Sequence, residues 1–196
     1  MLKKTFFALL SCLLLYNCQN KIDYYSFPTF SNGNFPHAVI EIPAGTNKKF
    51  EYQKGEFIQD VENGKPRTID FLPYLGNYGF IPSTYSNPEN GGDGDAIDVL
   101  IISESVQQGE IIEFKPIGML KLLDDGEIDY KIIGVPLEKS EIIIEAENFR
   151  ELEANYKELK VIIESWFLNY NKKDEAIIQG WGNEEEALLE IKSSIK

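Results

Sequence analysis

Three carboxylates fall within six residues in Asp93-Gly94-Asp95-Ala96-Ile97-Asp98, and the apolar pair Val99-Leu100 follows directly. Carboxylates packed this densely repel one another unless cations sit among them. All-oxygen donors suit hard divalent metals, so the run reads as a metal site. Two other readings bear on it. An acidic surface turn needs no metal at all. A calcium loop of the EF-hand type would take Asp93, Asp95 and Glu104 at its first, third and twelfth positions. That loop fails at its fifth and sixth positions, where Ile97 and Asp98 replace an oxygen ligand and the turn glycine.

The wider composition narrows the chemistry. Across 196 residues, 32 Asp and Glu outweigh 19 Lys and Arg, for a formal charge of -13. Such a surface argues against a nucleic-acid partner, because a phosphate backbone needs a basic footprint. A small phosphate substrate stays open, since bound metal ions can supply the positive charge that the protein lacks. Most of the acids read as solvated surface. With 43% hydrophobic residues the chain can build a core, and its length fits one compact domain with a leader and a tether.

The leader is separate from the chemistry. Lys3 and Lys4 precede an apolar stretch over residues 6–16, the pattern of an export signal and too short to span a bilayer comfortably. It ends at Leu15-Tyr16-Asn17-Cys18, ahead of polar Gln19-Asn20-Lys21. This resembles a bacterial lipoprotein signal, in which the Cys receives lipid and becomes the mature N-terminus. Asn17 departs from the small residue usual before that Cys. Leu9-Leu10-Ser11-Cys12 fits the box better locally but leaves an apolar core of residues 6–10 alone. Cys18 is therefore the expected lipidation site and Cys12 the alternative. An uncleaved N-terminal anchor would change the attachment but not the side of the membrane. The expected division is an export signal over 1–17, a lipid-anchored tether and irregular lead-in over 18–36, and the functional domain over 37–196. Attachment to the cell envelope, facing the periplasm, follows from the leader. Both cysteines lie in it or at its end, so no disulfide is expected beyond.

Positioning the Asp run requires a frame, and the sequence supplies strands first and helices last. Residues 38–42, 97–102, 111–123 and 130–136 are β-rich runs. Residues 50–52 and 57–58 flank a Lys54-Gly55 turn as a hairpin, and Asp124-Asp125-Gly126 is a second turn. From Ala146 the period changes. Phe149, Leu152, Tyr156, Leu159, Ile163, Trp166 and Tyr170 mark one stripe of a single long helix. Asn183, with Glu186 three residues on, approximates a capping box before a short last helix. The order predicts an α+β domain built on a small barrel or sheet. His37, the lone histidine, reads as a turn or core residue.

Several segments together resemble one family. Asp93-Gly94-Asp95-Ala96-Ile97-Asp98-Val99-Leu100 is similar to the signature of the family I (soluble-type) inorganic pyrophosphatases. Ile40-Glu41-Ile42-Pro43-Ala44 and Lys49-Phe50-Glu51-Tyr52 resemble that family's first two strands, and Pro73-Tyr74-Leu75-Gly76-Asn77-Tyr78-Gly79-Phe80-Ile81-Pro82 its aromatic active-site loop. Lys115-Pro116-Ile117-Gly118 then leads to Asp124, Asp129 and Lys131 at the family's spacing for a second acidic cluster. The resemblance runs over roughly residues 38–191. It implies a small twisted five-stranded OB-like β-barrel flanked by helices, often assembled as a hexamer. It also implies Mg²⁺-dependent hydrolysis of pyrophosphate to two phosphates by direct attack of water, with several Mg²⁺ ions per site.

Roles follow from the same resemblance. Asp93, Asp98 and Asp129 would share the tightest metal, Asp124 and Asp129 a further one, and Glu51 would help hold another. Asp95 would orient or deprotonate the attacking water, with Tyr78 and Tyr74 lining the site. Lys49, Arg67, Lys131 and Tyr170 would grip phosphoryl groups, and Glu41 would stand behind the metal ligands. Asn171 departs from the family, which usually has a lysine after that tyrosine; Lys172 or Lys173 is the candidate replacement. Asn171 favours a second function, a lipoprotein that captures phosphate or divalent metal with weak turnover; a third is an exported phosphatase acting on polyphosphate or organic pyrophosphates.

Overall fold

The computed structural model describes residues 22–173 and 175–196. The expected export signal, Cys18, its alternative Cys12 and the first residues of the tether lie outside these residues. In chain order the strands are β1 His37–Ile42, β2 Phe50–Gln53, β3 Glu56–Gln59, β4 Val61–Glu62, β5 Lys65–Pro66, β6 Asn77–Phe80, β7 Asp98–Ile101, β8 Ile111–Asp124, β9 Glu127–Ile128, β10 Lys131–Pro136 and β11 Ala176–Gly182. The α-helices are α1 Phe149–Asn155, α2 Lys157–Phe167 and α3 Glu184–Ser193.

Six strands hydrogen-bond in the order β1-β6-β7-β10-β8-β11, with β9 added on β8, as a seven-stranded mixed sheet. The β7–β10 pair is parallel and the others are antiparallel. Because β1 also pairs with β8, the strands β1, β6, β7, β10 and β8 form a closed circuit of pairings. The 14-residue β8 is the spine. Pro116 has no amide to donate, and the register with β10 slips beside it: Gly134 faces Pro116 and Ile133 faces Gly118, leaving Ile117 as the extra residue of a bulge.

Strands buried on both faces explain the near-continuous apolar runs of the sequence. Leu100, Leu120, Leu122 and Ile133 pack on one side with Leu152, Ile163, Trp166 and Phe167 of α1 and α2. Their neighbours Val99, Ile101, Met119 and Ile132 pack with Ala187 and Ile191 of α3. At the close β1–β6 crossing, an added Cβ on Gly79 would lie 1.9 Å from the Val39 carbonyl oxygen, so only glycine fits there.

The expected single long helix is two helices. Tyr156 leaves the helical region (φ -137°, ψ 37°) and serves as both the end of α1 and the start of α2. Its hydroxyl accepts a hydrogen bond from the Glu145 amide at 3.0 Å, and Asn155 just before it is a weak helix former. The apolar stripe persists because both helices pack on the same core. Two strands were not among the expected ones: β6 inside the aromatic loop, and β11 after Tyr170. The Lys54-Gly55 hairpin and the Asn183–Glu186 capping box form as expected.

Candidate active site

Sheet register places the central charges. Asp98 opens β7, Lys131 opens β10, and the two are direct neighbours across the parallel pair. Asp129 lies two residues before Lys131, on the same side of an extended chain. The Lys131 ammonium, 2% exposed, donates to Asp98 Oδ2 and to Asp129 Oδ1. Asp124 closes β8. Asp125 and Gly126 then reverse the chain with φ of 48° and 90°, the left-handed pair that a two-residue hairpin requires. Asp93 and Asp95 occupy the turn before β7, where Asp93 Oδ1 accepts from the Asp95 amide at 3.0 Å. The Ser86 amide donates to the Asp95 carbonyl at 2.7 Å and holds that turn against the loop after β6.

Aromatic packing places the hydroxyls. Trp166 donates its indole N–H to the carbonyls of Leu72 (2.9 Å) and Pro73 (3.1 Å), stacks on Tyr170 at 5.1 Å and packs on Tyr74 at 4.7 Å. The Tyr170 hydroxyl reaches Asp124 Oδ2 at 3.3 Å, and the Tyr78 hydroxyl donates to Asp98 Oδ2 at 2.5 Å. On the opposite wall, Lys49 Nζ pairs with Glu51 Oε1 at 3.1 Å.

These side chains share one cleft of about 410 Å³. It brings together all six predicted carboxylates, with Lys49, Lys131, Tyr74, Tyr78 and Tyr170. Arg67 is not among the residues lining it. Its guanidinium lies 3.3 Å from Asp60 at the hairpin base, within electrostatic reach of Tyr170 and Tyr74. Of the candidate replacements for the missing lysine, Lys173 pairs with Glu62 at 2.6 Å. Sequence reasoning did not assign Tyr25, Gln53, Trp166 or Phe167 to the site, yet all four line the cleft. Trp166 carried a signal, being part of the helical stripe; Phe167 lay off that stripe, and Tyr25 carried none, because its contacts are distant in sequence.

The electrostatics are those of a site built for cations. Burial, then Asp93, Asp98 and Glu51, push the Asp95 pKa above its ordinary value. Burial also pushes Asp129 up, against the pull of Lys131. Burial pulls the Lys131 pKa down, but Asp129 and Asp98 outweigh it and raise it above the ordinary lysine value, so the ammonium stays charged. Burial, reinforced by Asp98, raises Tyr78 so that it remains a phenol able to donate. Glu41, 8% exposed, is raised by burial to about 8, although it accepts the Tyr52 amide at 2.5 Å.

Residues 38–196 match the family model described as inorganic pyrophosphatase. The chain belongs to the family I inorganic pyrophosphatases. It is 35% identical over 170 residues to the inorganic pyrophosphatase of Rickettsia typhi, covering 84% of this chain and 90% of that protein. It is 32% identical over 169 residues to the inorganic pyrophosphatase of Bos taurus, covering 77% of this chain; there it spans only 57% of the relative's length. The crystal structure of the Thermus thermophilus inorganic pyrophosphatase superposes with a TM-score of 0.75 at 27% identity, covering 89% of this chain and 97% of that one.

Pyrophosphatases of this family are metal-dependent, generally on Mg²⁺, and the donor set of this cleft fits that ion. Its ligating side chains are carboxylates, and neither His nor Cys is among the described lining residues. Among the described residues no three carboxylates converge as a ready-made cage.

Proposed function

We propose that this chain hydrolyses inorganic pyrophosphate to two phosphates by direct attack of water, as a Mg²⁺-dependent phosphoric anhydride hydrolase. The observation that carries the reading is the single cleft in which the family's carboxylates face Lys49 and Lys131. Bound Mg²⁺ supplies charge neutralisation and lowers the pKa of the water it holds. Asp93, Asp98 and Asp129 would hold the tightest ion, Asp124 and Asp129 a further one, and Glu51 another. Asp95 accepts the proton of the attacking water at a carboxylate oxygen; its raised pKa makes it a better base than an ordinary aspartate. Lys131, Lys49 and Tyr170 donate to the phosphoryl oxygens. Arg67 joins them by turning from Asp60, its planar fork matched to two oxygens of one phosphoryl group. Tyr78 and Tyr74 close the aromatic side, and Tyr78 fixes the Asp98 carboxylate.

The closed circuit of five strands is read here as the small OB-like barrel of the family, and assembly as a homo-hexamer follows from the same resemblance. The N-terminal pattern supports export and lipidation at Cys18, with attachment on the periplasmic side. Asn171 favours a second reading, a phosphate- or metal-capturing lipoprotein with weak turnover. Asp95 speaks against it, because capture alone needs no base beside the metal ligands. Phosphate release from pyrophosphate, tripolyphosphate and ADP separates these readings. The proposed activity gives release from pyrophosphate at least a hundredfold faster than from the other two (about 3 kcal/mol of discrimination). Comparable rates on all three would favour the wider-scope phosphatase, and tight binding without release would favour capture.

A further inference from the structure

The arm that bears Lys49 and Glu51 joins the main sheet through side chains, with Tyr52 packed on Val39 and Phe80, and not through strand pairing. β2 pairs with β3 alone, and among the described residues no backbone hydrogen bond joins 50–59 to the seven-stranded sheet. The hairpin closes at Gln53 opposite Glu56, so alternate residue Tyr52 turns its peptide groups outward. Both are met by side chains. The Tyr52 amide donates to Glu41 of β1 at 2.5 Å, and the Tyr52 carbonyl accepts the Tyr25 hydroxyl at 2.7 Å.

Tyr25 lies upstream of the residues matched to the family, 38–196. It is itself held from the sheet side: the Tyr25 carbonyl accepts the Ser83 amide at 3.1 Å, and its ring lies 4.9 Å from Phe80 and 5.1 Å from Tyr52. The segment also closes on the Tyr52 side chain, whose hydroxyl donates to the Ile22 carbonyl at 3.2 Å. Tyr25 thus bridges the loop after β6 to the middle of β2, one residue from Glu51, and lines the cleft beside it.

We infer that Tyr25 is a positioning residue: the N-terminal segment is a working part of the site, clamping the arm so that Lys49 and Glu51 face the Asp cluster. This rests on the proposed pyrophosphate hydrolysis for its kinetic readout and on nothing else. Lys49 grips a phosphoryl group in the proposed activity, so an arm that opens more often holds substrate less well. Tyr25→Phe keeps the ring packing and removes only the hydrogen bond to Tyr52.

The test measures amide hydrogen exchange across residues 50–53 in the metal-free protein, and KM and kcat for pyrophosphate with Mg²⁺. For Tyr25→Phe, exchange over 50–53 accelerates about threefold to fivefold and KM rises by a similar factor. kcat stays within about twofold, the pattern of lost uniform binding. Tyr25→Ala shows the same pattern, enlarged. Tyr156→Phe, which removes a hydrogen bond from Glu145 away from the cleft, changes neither quantity. Wild-type exchange over 50–53 together with wild-type KM in Tyr25→Phe would overturn the clamp while leaving the activity intact. Absence of hydrolysis by the wild type would overturn the activity, and the exchange arm would still decide the clamp.

Discussion

Glu41 is the residue at which burial overrides ordinary acidity. The folded chain holds its proton up to about pH 8, and an ordinary glutamate releases it near 4.5. Folding therefore takes up a proton across that interval, and the contribution to stability is lost as pH rises through it. Melting temperature of the metal-free protein should fall from pH 5 to pH 8. Glu41→Gln, which preserves an acceptor for the Tyr52 amide, should flatten part of that slope and raise the pH 8 melting point by a few degrees. Parallel curves for the two proteins would show that Glu41 ionises normally. The same cost of buried charge explains which site residues were legible. Asp93, Asp95 and Asp98 stand out in sequence because three close carboxylates have few reasons to coexist. Lys131 looks like any lysine until the register sets it against Asp98.

Elements were legible where the determinants are local. The Lys54-Gly55 turn has φ of 52° and 80°, and Asn183 and Glu186 exchange hydrogen bonds at 2.9 and 3.1 Å, as their residue types dictate. The break at Tyr156 was not legible, because an apolar stripe measures which face is buried and not whether the backbone is continuous. β6 was hidden by tyrosines and glycines that suit a loop equally well. Its Gly79 is required by a long-range contact, the Val39 carbonyl of β1. Gly79→Ala should cost on the order of 3 kcal/mol, about 10 °C in melting temperature, and should displace Tyr78. A variant with native melting temperature would mean that β1 and β6 can part without penalty.

At the scale of the whole molecule, the proposed activity has an acidic chain take an acidic substrate by placing metal ions between them. The α+β class was legible from strands leading and helices following, although β11 comes after α2, while the closed circuit depends on pairings distant in sequence such as His37 with Glu113. Among the described residues no helix is long and apolar enough to cross a membrane. The proposed envelope attachment is through lipid at Cys18. Labelled palmitate should enter the wild-type protein in cells and not Cys18→Ala; undiminished labelling of that variant would move the site to Cys12. The central claim is that Asp95 and its neighbours hydrolyse pyrophosphate with Mg²⁺. The most direct test is phosphate release from pyrophosphate by the intact protein with Mg²⁺ or with EDTA, beside Asp95→Asn. The account predicts rapid release with Mg²⁺, none with EDTA, and at least a hundredfold loss in Asp95→Asn (about 3 kcal/mol). Wild-type release no faster than that of Asp95→Asn, with pyrophosphate still bound, would contradict it.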